Sequence, residues 1–215
     1  MEVNEAERDG DTGAGPGEGL GLQAERSLAT RTALLETARA LFAERGYAAV
    51  GTEEIVRAAG VTRGALYHHF EGKLELFAAV YEQVEAELVQ GIADAVDTPD
   101  APPLEVLRAG AQAFLDACES DLAVQQIALI DAPSVLGWER WREIGMRYGL
   151  GLVRGTIEAA IEAGEIEEQP AEPLAHLLLG AIDEGALLVA RADDGGETRR
   201  LLGASLERVL GALTA

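Results

Sequence analysis

The sequence predicts an all-α protein of about nine helices, with a small N-terminal head and a larger C-terminal domain. From Ser27 onward, apolar residues recur at helical spacing almost throughout, and no convincing strand-like alternation appears. Prolines support the same fold class, because a helix tolerates proline at its ends and not in its interior. Six of the seven prolines lie where the helical periodicity stops, namely Pro99, Pro102, Pro103, Pro133, Pro170 and Pro173.

Residues 1–26 differ in composition from the rest of the chain. They are rich in glycine and acidic residues and contain almost no apolar residue before Leu20. Such a stretch cannot bury enough apolar surface to offset the entropy lost when it becomes ordered. We therefore expect a disordered, acidic, glycine-rich arm at 1–26, a helical head at 27–76 and a larger helical domain at 77–215.

The first helix of the head is expected to begin near Ser27. Leu34, Ala38 and Leu41 recur at helical spacing and would form its buried face. Gly46 supplies a stop signal, because glycine readily adopts the left-handed conformation that ends many helices.

Two short helices are expected next. Thr52 is a good N-cap for a helix through Ala59, and acidic residues follow it in the first turn. Gly60 ends that helix, and Thr62 caps another that runs to about Phe70. Two short helices joined by so tight a turn are typical of a helix-turn-helix.

A long helix begins at Lys73 after a break at Gly72, and it links the head, to about residue 88, with the C-terminal domain. Its apolar face comprises Leu74, Phe77, Tyr81, Val84 and Leu88. The remaining helices are expected over about Pro103–Ala117, Leu122–Ile130, Pro133–Ala163, Pro170–Ala192 and Glu197–Leu213.

The helix from Thr62 is predicted to be a recognition helix, because its polar residues would face outward. Arg63 can donate two hydrogen bonds to a guanine edge or pair with a phosphate, and small Gly64 and Ala65 allow close approach to the bases. Phosphate contacts are expected from side chains near either end of the short helices and from the start of the long helix. These candidates are Thr52, Thr62, Tyr67, His68 and Lys73.

The charge distribution is compatible with DNA binding only in this head. The net charge is −21, which would repel phosphate if it were spread evenly. Residues 1–23 hold one basic and six acidic residues, and residues 77–215 hold nine basic and 25 acidic residues. Residues 24–76 hold seven of each sign. The acid elsewhere should weaken non-specific binding.

The segment Thr52–Phe70 and its two adjacent histidines also allow interpretations without DNA binding. The segment Thr52–Phe70 could be three packed helices with no DNA role, but its outward residues make little sense as a core. His68 and His69 form a poor metal site, because adjacent helical residues point about 100° apart. We therefore expect one histidine to face DNA and no metal site.

The stretch from about Arg31 to Phe77 resembles the DNA-binding domain of TetR-family regulators. The matching features are ALFAERGYAAVGTEEI, then AAGVTRGALYHHF, and the helix that starts at Lys73. The resemblance implies that Arg63, Gly64 and Ala65 lie nearest the bases, with Thr52, Tyr67, His68 and Lys73 at phosphates. It also implies a helical C-terminal domain that forms a homodimer and usually encloses a small-molecule ligand. The stretch DAPSVLGWERWREIGMRYGLG, residues 131–151, resembles one recurring type of regulatory domain.

The ligand site is expected between the middle helices, where apolar residues mix with a few polar groups. Its candidate residues are Phe114, Leu115, Cys118, Gln125, Leu129, Trp138, Trp141 and Tyr148. Several have a purely structural alternative: Cys118 as a small buried residue, and Trp138 with Trp141 as core packing.

The last two helices are the candidate dimer interface, because pairing both with a second copy gives an intermolecular four-helix bundle. Its expected residues are Leu174, Leu177, Leu178, Ala181, Ile182, Gly185, Leu188, Leu202, Leu206, Val209 and Leu210. Asp183 and Glu184 are expected at its rim, and Arg140, Arg142 and Arg147 in ion pairs on a solvated face.

The sequence therefore predicts a DNA-binding transcriptional repressor that binds a palindromic operator as a homodimer and is released by a small molecule. The alternative is a DNA-binding regulator controlled by a protein partner. No catalytic constellation is visible, so we expect neither enzymatic activity nor a cofactor. A single cysteine, Cys118, suits a reducing compartment. With no signal peptide or spanning segment apparent, the cytoplasm is expected and a membrane is not.

Overall fold

The computed structural model describes residues 16–98 and 100–214, and these residues form an all-α fold, as predicted. Within them the only β-pairing is one isolated antiparallel bridge, Ile166 with Thr214. The helices are α1 (Pro16–Ala49), α2 (Thr52–Ala58), α3 (Arg63–His69), α4 (Lys73–Val96), α5 (Pro103–Ser120), a π-helix (Val124–Asp131), α6 (Ala132–Val135), α7 (Trp138–Glu162), α8 (Ala171–Arg191) and α9 (Gly195–Gly211).

Helix α1 starts earlier than the sequence pattern indicated. Residues 16–26, which we expected in the arm, are its first turns, and residues 1–15 lie outside the described residues. The side chains of residues 23–26 are exposed. A helix that is already anchored by a buried segment gains one hydrogen bond for each residue added, so it extends without burying further apolar surface.

The end of α1 and the start of α2 are set by glycines. Gly46 has φ 76°, and the chain turns there as predicted before continuing to Ala49. The predicted N-cap at Thr52 is wrong: Gly51 occupies that position in extended conformation, and Thr52 is the first helical residue. No side chain caps α2, because the hydroxyl of Thr52 lies one residue too far into the helix.

The middle of the chain differs from the prediction in two ways. The short helix expected over Leu122–Ile130 is a π-helix, Val124–Asp131. The long helix expected over Pro133–Ala163 is broken, because Gly137 has φ 80° and separates α6 from α7. A residue in that left-handed conformation cannot continue an α-helix, and glycine adopts it at little cost.

An aromatic cluster fixes the head on α4. The Phe42 ring on α1 meets the Phe77 ring on α4 edge-on, with ring centroids 5.3 Å apart. The Tyr47 ring meets Phe77 in the same way at 4.9 Å. Phe42 and Phe77 have no exposed surface. Such edge-to-face contacts add to the stabilisation from burial, so the start of α4 moves with the head.

Helix α5 is central to the C-terminal domain, since it packs against α4, α7, α8 and α9. Leu107, Leu115, Ile157, Leu178 and Leu210 belong to the apolar core that these helices share. A second core runs without interruption from α1 through α4 to the π-helix and the start of α7. Helix α4 therefore connects the head with the larger domain through continuous packing.

Candidate DNA-binding surface and regulatory cavity

Helix α3 presents one polar face because its start and its inner side are fixed. Thr62 is its N-cap, as predicted, and its hydroxyl accepts a hydrogen bond from the Ala65 N–H at 3.1 Å. Gly60, with φ 67°, allows the turn before it. Leu66 on the inner side is fully buried. The predicted base-contacting residues Arg63 and Gly64 are exposed, and Ala65 is half-buried between them and the core.

Arg63 is held only loosely. Its guanidinium lies 3.6 Å from the Glu53 carboxylate, and the two side chains are 64% and 83% exposed. It also lies over the exposed Tyr67 ring, 5.6 Å from the centroid. Exposed ion pairs contribute little, so a guanine edge or a phosphate can replace Glu53 at small cost. His68 is exposed beside these residues.

The two histidines differ in environment. His69 is half-buried, and the pKa of its imidazole is lowered by burial first and then by the neighbouring His68 and Arg31. Their rings meet at 5.1 Å in an edge-on arrangement. In the described part of the chain, no group of three metal-binding side chains comes together there or elsewhere.

Lys73 points into the protein instead of lying free at the helix start. Its ammonium group donates a hydrogen bond to the Tyr47 carbonyl oxygen and lies 3.9 Å from the centre of the Tyr47 ring. Burial lowers the pKa of Lys73, and the charge of Asp131 partly opposes that shift. A phosphate contact by Lys73 therefore remains a prediction that requires the ammonium to leave Tyr47. Thr52, the other predicted phosphate contact, is half-buried in the first turn of α2.

A contact that the sequence did not reveal ties the head to the C-terminal domain. The Tyr47 N–H donates to an Asp131 carboxylate oxygen at 2.7 Å, across 84 residues of sequence. Asp131 is the last residue of the π-helix. The same carboxylate lies beside Gly46, where a side chain would crowd Gln126. The π-helix thus contacts the turn that sets the position of α2.

A cavity of about 110 Å³ lies between α4, α5, α7, α8 and the π-helix. Three of the predicted ligand residues, Phe114, Leu129 and Trp141, line it. Trp141 is fixed there because its indole N–H donates to the Ala128 carbonyl at 2.9 Å. A space of this size exceeds what one water molecule needs, so the cavity is large enough for a small organic group.

The other five predicted ligand residues do not line this cavity. Leu115 and Cys118 are buried in the surrounding core, and burial raises the pKa of the Cys118 thiol. Trp138 is 60% exposed, since it starts α7 just after the break at Gly137. Gln125 donates its amide hydrogen to the Glu119 carbonyl. Tyr148 lines a separate surface groove beside α1.

Three charged residues of the cavity were missed. Glu85 on α4, Arg142 on α7 and Asp183 on α8 all line it. Arg142 donates to Asp183 at 2.9 Å. Burial raises the pKa of Asp183, and burial with the nearby charge of Asp183 raises that of Glu85 to about 7. The missed signal was spacing: residues 81, 84, 85 and 88 share one helical face, so Glu85 lies on the apolar side of α4.

The two predicted interface helices carry apolar residues on two faces. Seven of the predicted interface residues are buried or half-buried toward the chain's own core, which corrects their assignment: Leu174, Leu178, Ile182, Gly185, Leu202, Leu206 and Leu210. The remaining four face solvent, namely Leu177, Ala181, Leu188 and Val209. Leu201, on the apolar stripe of the last helix, is also exposed, at 52%. A single apolar stripe was expected, whereas α8 is apolar on two sides.

Leu177 is 72% exposed and Leu188 50% exposed on α8, and Val209 is 50% exposed on α9. Within the described residues, α8 is the one helix that is long and apolar enough to cross a membrane, and this second apolar face contributes to that composition. Helices from the interior of globular proteins can pass the same criterion, so it is weak evidence for a membrane.

The basic residues expected on a solvated face are paired. Arg140 forms a two-bond contact with Glu75 at 2.8–2.9 Å, and Arg147 lies 3.2 Å from Glu82. Arg142 differs, because its partner is Asp183 in the cavity wall and not a surface acid. Asp183 is therefore not a rim residue of the predicted interface.

Comparison with known proteins agrees with both parts of the fold. Residues 34–80 match the family described as bacterial regulatory proteins, tetR family. Residues 104–213 match the family described as tetracyclin repressor-like, C-terminal domain. The TetC protein of transposon Tn10 from Escherichia coli is 30% identical over 158 residues, which is 74% of this chain and 79% of that protein.

Two further proteins match the chain over part or most of its length. The transcriptional activator FasR of Mycolicibacterium smegmatis is 39% identical over 55% of this chain and 53% of its own length. A solved TetR-family regulator from Pectobacterium atrosepticum superimposes with a TM-score of 0.79 at 34% identity, covering 89% of this chain and 97% of that one. FasR is a transcriptional activator, and the Pectobacterium protein is a TetR-family transcriptional regulator. Both domains are accounted for, and the chain belongs to the TetR family of DNA-binding transcriptional regulators.

Proposed function

We propose that this regulator binds a palindromic operator as a homodimer, represses transcription from it, and is released by a small molecule bound in the cavity. The observation that carries the proposal is one chain holding an exposed recognition helix and an apolar cavity, with α4 reaching both. The protein would act in the cytoplasm, where its operator DNA is. The palindromic operator, the homodimer and release by a ligand go beyond the DNA-binding regulation that the family shares.

The homodimer is supported by the exposed second face of α8 and α9. Leu177 and Leu188 lie on α8, and Leu201 and Val209 on α9, and all four are at least half exposed. Large exposed apolar residues concentrated on two neighbouring helices are typical of an interface. Pairing these faces with a second copy gives a four-helix bundle and buries them.

The dimer is needed because one helix-turn-helix reads only a few base pairs. Two copies of α3 related by a two-fold axis read two half-sites about 34–36 Å apart. In each half-site, Arg63 would contact a guanine edge, with Gly64 and Ala65 close to the bases. Thr52, Thr62, Tyr67, His68 and Lys73 would hold the phosphates.

The switch would act through two connections between the cavity and the head. Val89 and Ile92 of α4 line the cavity, while the first turns of α4 pack into the head core. Leu129 of the π-helix also lines the cavity, and Asp131 at its end holds Tyr47. A ligand that moves either element would change the spacing of the two heads. A coupling of about 1–3 kcal/mol is typical of such a change.

A small molecule is favoured over a protein partner because the cavity lies between helices and its wall is mainly apolar. Two proteins of similar fold have been solved with small molecules: RolR with resorcinol and FadR of Bacillus subtilis with stearoyl-CoA. They are 21% and 18% identical to this chain, so they support the fold and leave the ligand open.

The test is selection of bound sequences from a random DNA pool, followed by titration of the selected sequence. We expect a palindrome, a steep fall of affinity with salt, and a loss of about 1–3 kcal/mol on Arg63→Ala. Arg154→Ala is the matched control, because Arg154 forms an exposed ion pair with Glu158 on α7, away from the head. Failure to enrich any sequence at low salt would overturn the proposal.

A further inference from the structure

The cavity wall is apolar except at a few side chains, and these differ in how well they are satisfied. Most of its surface comes from aliphatic and aromatic residues on five helices. Arg142 and Asp183 form a close pair, with Nη1 of Arg142 2.9 Å from Oδ2 of Asp183. Their charges therefore cancel within the wall.

Glu85 has no such partner. Among the described residues it forms no ion pair, and the Tyr81 hydroxyl, which interacts with it, donates its single hydrogen to the Trp141 carbonyl oxygen at 3.2 Å. An ionised carboxylate can accept about four hydrogen bonds. Most of that capacity is unused, and the carboxylate lines the cavity.

Resting on the proposed function, we propose that the cavity binds a lipophilic amine in its ammonium form, with the Glu85 carboxylate accepting the ammonium hydrogens. The apolar wall takes the hydrocarbon body of the ligand. An ammonium group supplies three donors and one positive charge, which matches the unfilled acceptors and the uncompensated charge of Glu85.

The charge balance of the wall favours a cation over an anion. Two carboxylates, Glu85 and Asp183, face one guanidinium, and that guanidinium is committed to Asp183. An anionic ligand would add a third negative group to a wall whose one positive charge is already balanced by Asp183. A cation leaves the pair intact and neutralises the remaining charge, so the site discriminates by charge as well as by shape.

Binding of the amine should depend on the protonation state of Glu85. The titratable and charged groups around it are Tyr81 on its own helix, Cys118 on α5, Arg142 on α7 and Asp183 on α8. With a pKa of about 7, the Glu85 carboxylate is largely protonated at pH 6 and largely ionised at pH 8.5. Amine affinity should therefore rise about tenfold between these pH values.

The experiment compares three probes that share one phenylbutyl body: 4-phenylbutylamine, 4-phenylbutanol and 5-phenylpentanoate. Calorimetric titration of the full chain at pH 8.5 should give the tightest binding for the amine and the weakest for the carboxylate. Glu85→Gln should weaken the amine about tenfold or more and leave the alcohol nearly unchanged.

Glu87→Gln is the control, because it removes the same charge two residues along α4. Glu87 pairs with Arg39 on the surface, 3.0 Å away, and does not line the cavity. The Glu87→Gln chain should bind the amine with the same affinity as the unsubstituted chain. Thermal unfolding of both variants verifies that each is folded.

Equal affinity for all three probes, or amine binding unaffected by Glu85→Gln, would overturn the inference. So would a preference for the alcohol or the carboxylate. Operator binding is measured in parallel without any probe. A chain that binds its operator but not the amine contradicts only the ligand class, whereas a chain that binds no DNA contradicts the proposed function itself.

Discussion

Glu85→Gln removes a carboxylate whose ionisation the cavity opposes, and it should stabilise the protein at alkaline pH. Burial and the charge of Asp183 raise the pKa of Glu85 from 4.5 to about 7. Between pH 4.5 and about 7, the Glu85 carboxyl therefore keeps its proton in the folded state, whereas the unfolded chain has already lost it. The stability associated with the protonated group is full below pH 4.5 and is lost as pH rises through about 7.

The magnitude follows from the size of the shift. Each pH unit corresponds to 1.36 kcal/mol, so ionising Glu85 in the folded state costs about 3 kcal/mol above pH 8. At pH 5.5 the raised pKa of Glu85 lowers the free energy of unfolding by only about 1 kcal/mol relative to its value at low pH. Glutamine has nearly the same shape and no charge, so Glu85→Gln should recover most of this cost. The gain should grow by about 2 kcal/mol from pH 5.5 to pH 8.5.

The assay is urea unfolding of the unsubstituted chain, Glu85→Gln and Glu87→Gln at one protein concentration, repeated from pH 5.5 to pH 8.5. A fixed concentration is needed because dimerisation adds to the apparent stability. Thermal unfolding of the same samples should show the stabilisation as a rise of roughly 6–12 °C in Tm at pH 8.5, because about 3 kcal/mol corresponds to that shift for a chain of this size. The Glu87→Gln chain should show no such pH-dependent gain, since Glu87 is a surface residue.

If Glu85→Gln and Glu87→Gln differ from the unsubstituted chain by the same amount at every pH, Glu85 is not protonated in the folded state and the reasoning is refuted. A loss of stability at pH 8.5 on Glu85→Gln would refute it as well. That result would mean that the carboxylate is satisfied by donors in the wall.

Three further predictions concern the dimer, the switch and the DNA contact. Leu177→Lys and Leu188→Lys should each weaken the homodimer about tenfold or more, because a charge replaces apolar surface that the dimer would bury. Sedimentation at several protein concentrations measures the dissociation constant of the dimer. Asp131→Ala removes the acceptor for the Tyr47 N–H, so the change in operator affinity on ligand binding should shrink while ligand affinity is retained. Arg63→Ala should flatten the salt dependence of operator binding by about one unit of slope if Arg63 contacts a phosphate, and reduce sequence preference if it contacts a base.

The head could be predicted in detail because its signals are local. Gly60 and Thr62 each determine the backbone within a few residues, and the structure has the turn and the cap where the sequence indicates them. Thr52 was misplaced by one residue, because Gly51 can adopt the extended N-cap conformation without a side-chain bond. The Asp131 contact with Tyr47 spans 84 residues, and no local pattern encodes it.

The interface was harder to predict because α8 is apolar on two faces. A hydrophobic stripe identifies a buried side but does not distinguish the chain's own core from a partner. Leu178 and Ile182 pack inside, whereas Leu177 and Leu188 on the same helix face out. Only the position of α5 and α9 against α8 separates the two sets, and that position depends on the whole fold.

The cavity acids follow a rule that the sequence did contain. Glu85 stands with Tyr81, Val84 and Leu88 on one face of α4, and Asp183 occupies the equivalent place on the inner face of α8. An acid at such a position must be paired, protonated or exposed to an enclosed space, because an isolated buried charge is too costly. Asp183 is paired with Arg142, so the sequence alone could not separate it from a structural ion pair. Glu85 forms no ion pair among the described residues, and burial together with the charge of Asp183 raises its pKa at the cavity wall. Neither acid has a basic residue one turn away on its own helix, so this sequence signal marks both as candidates for the cavity wall, and only the fold shows that Arg142 pairs with Asp183 and not with Glu85.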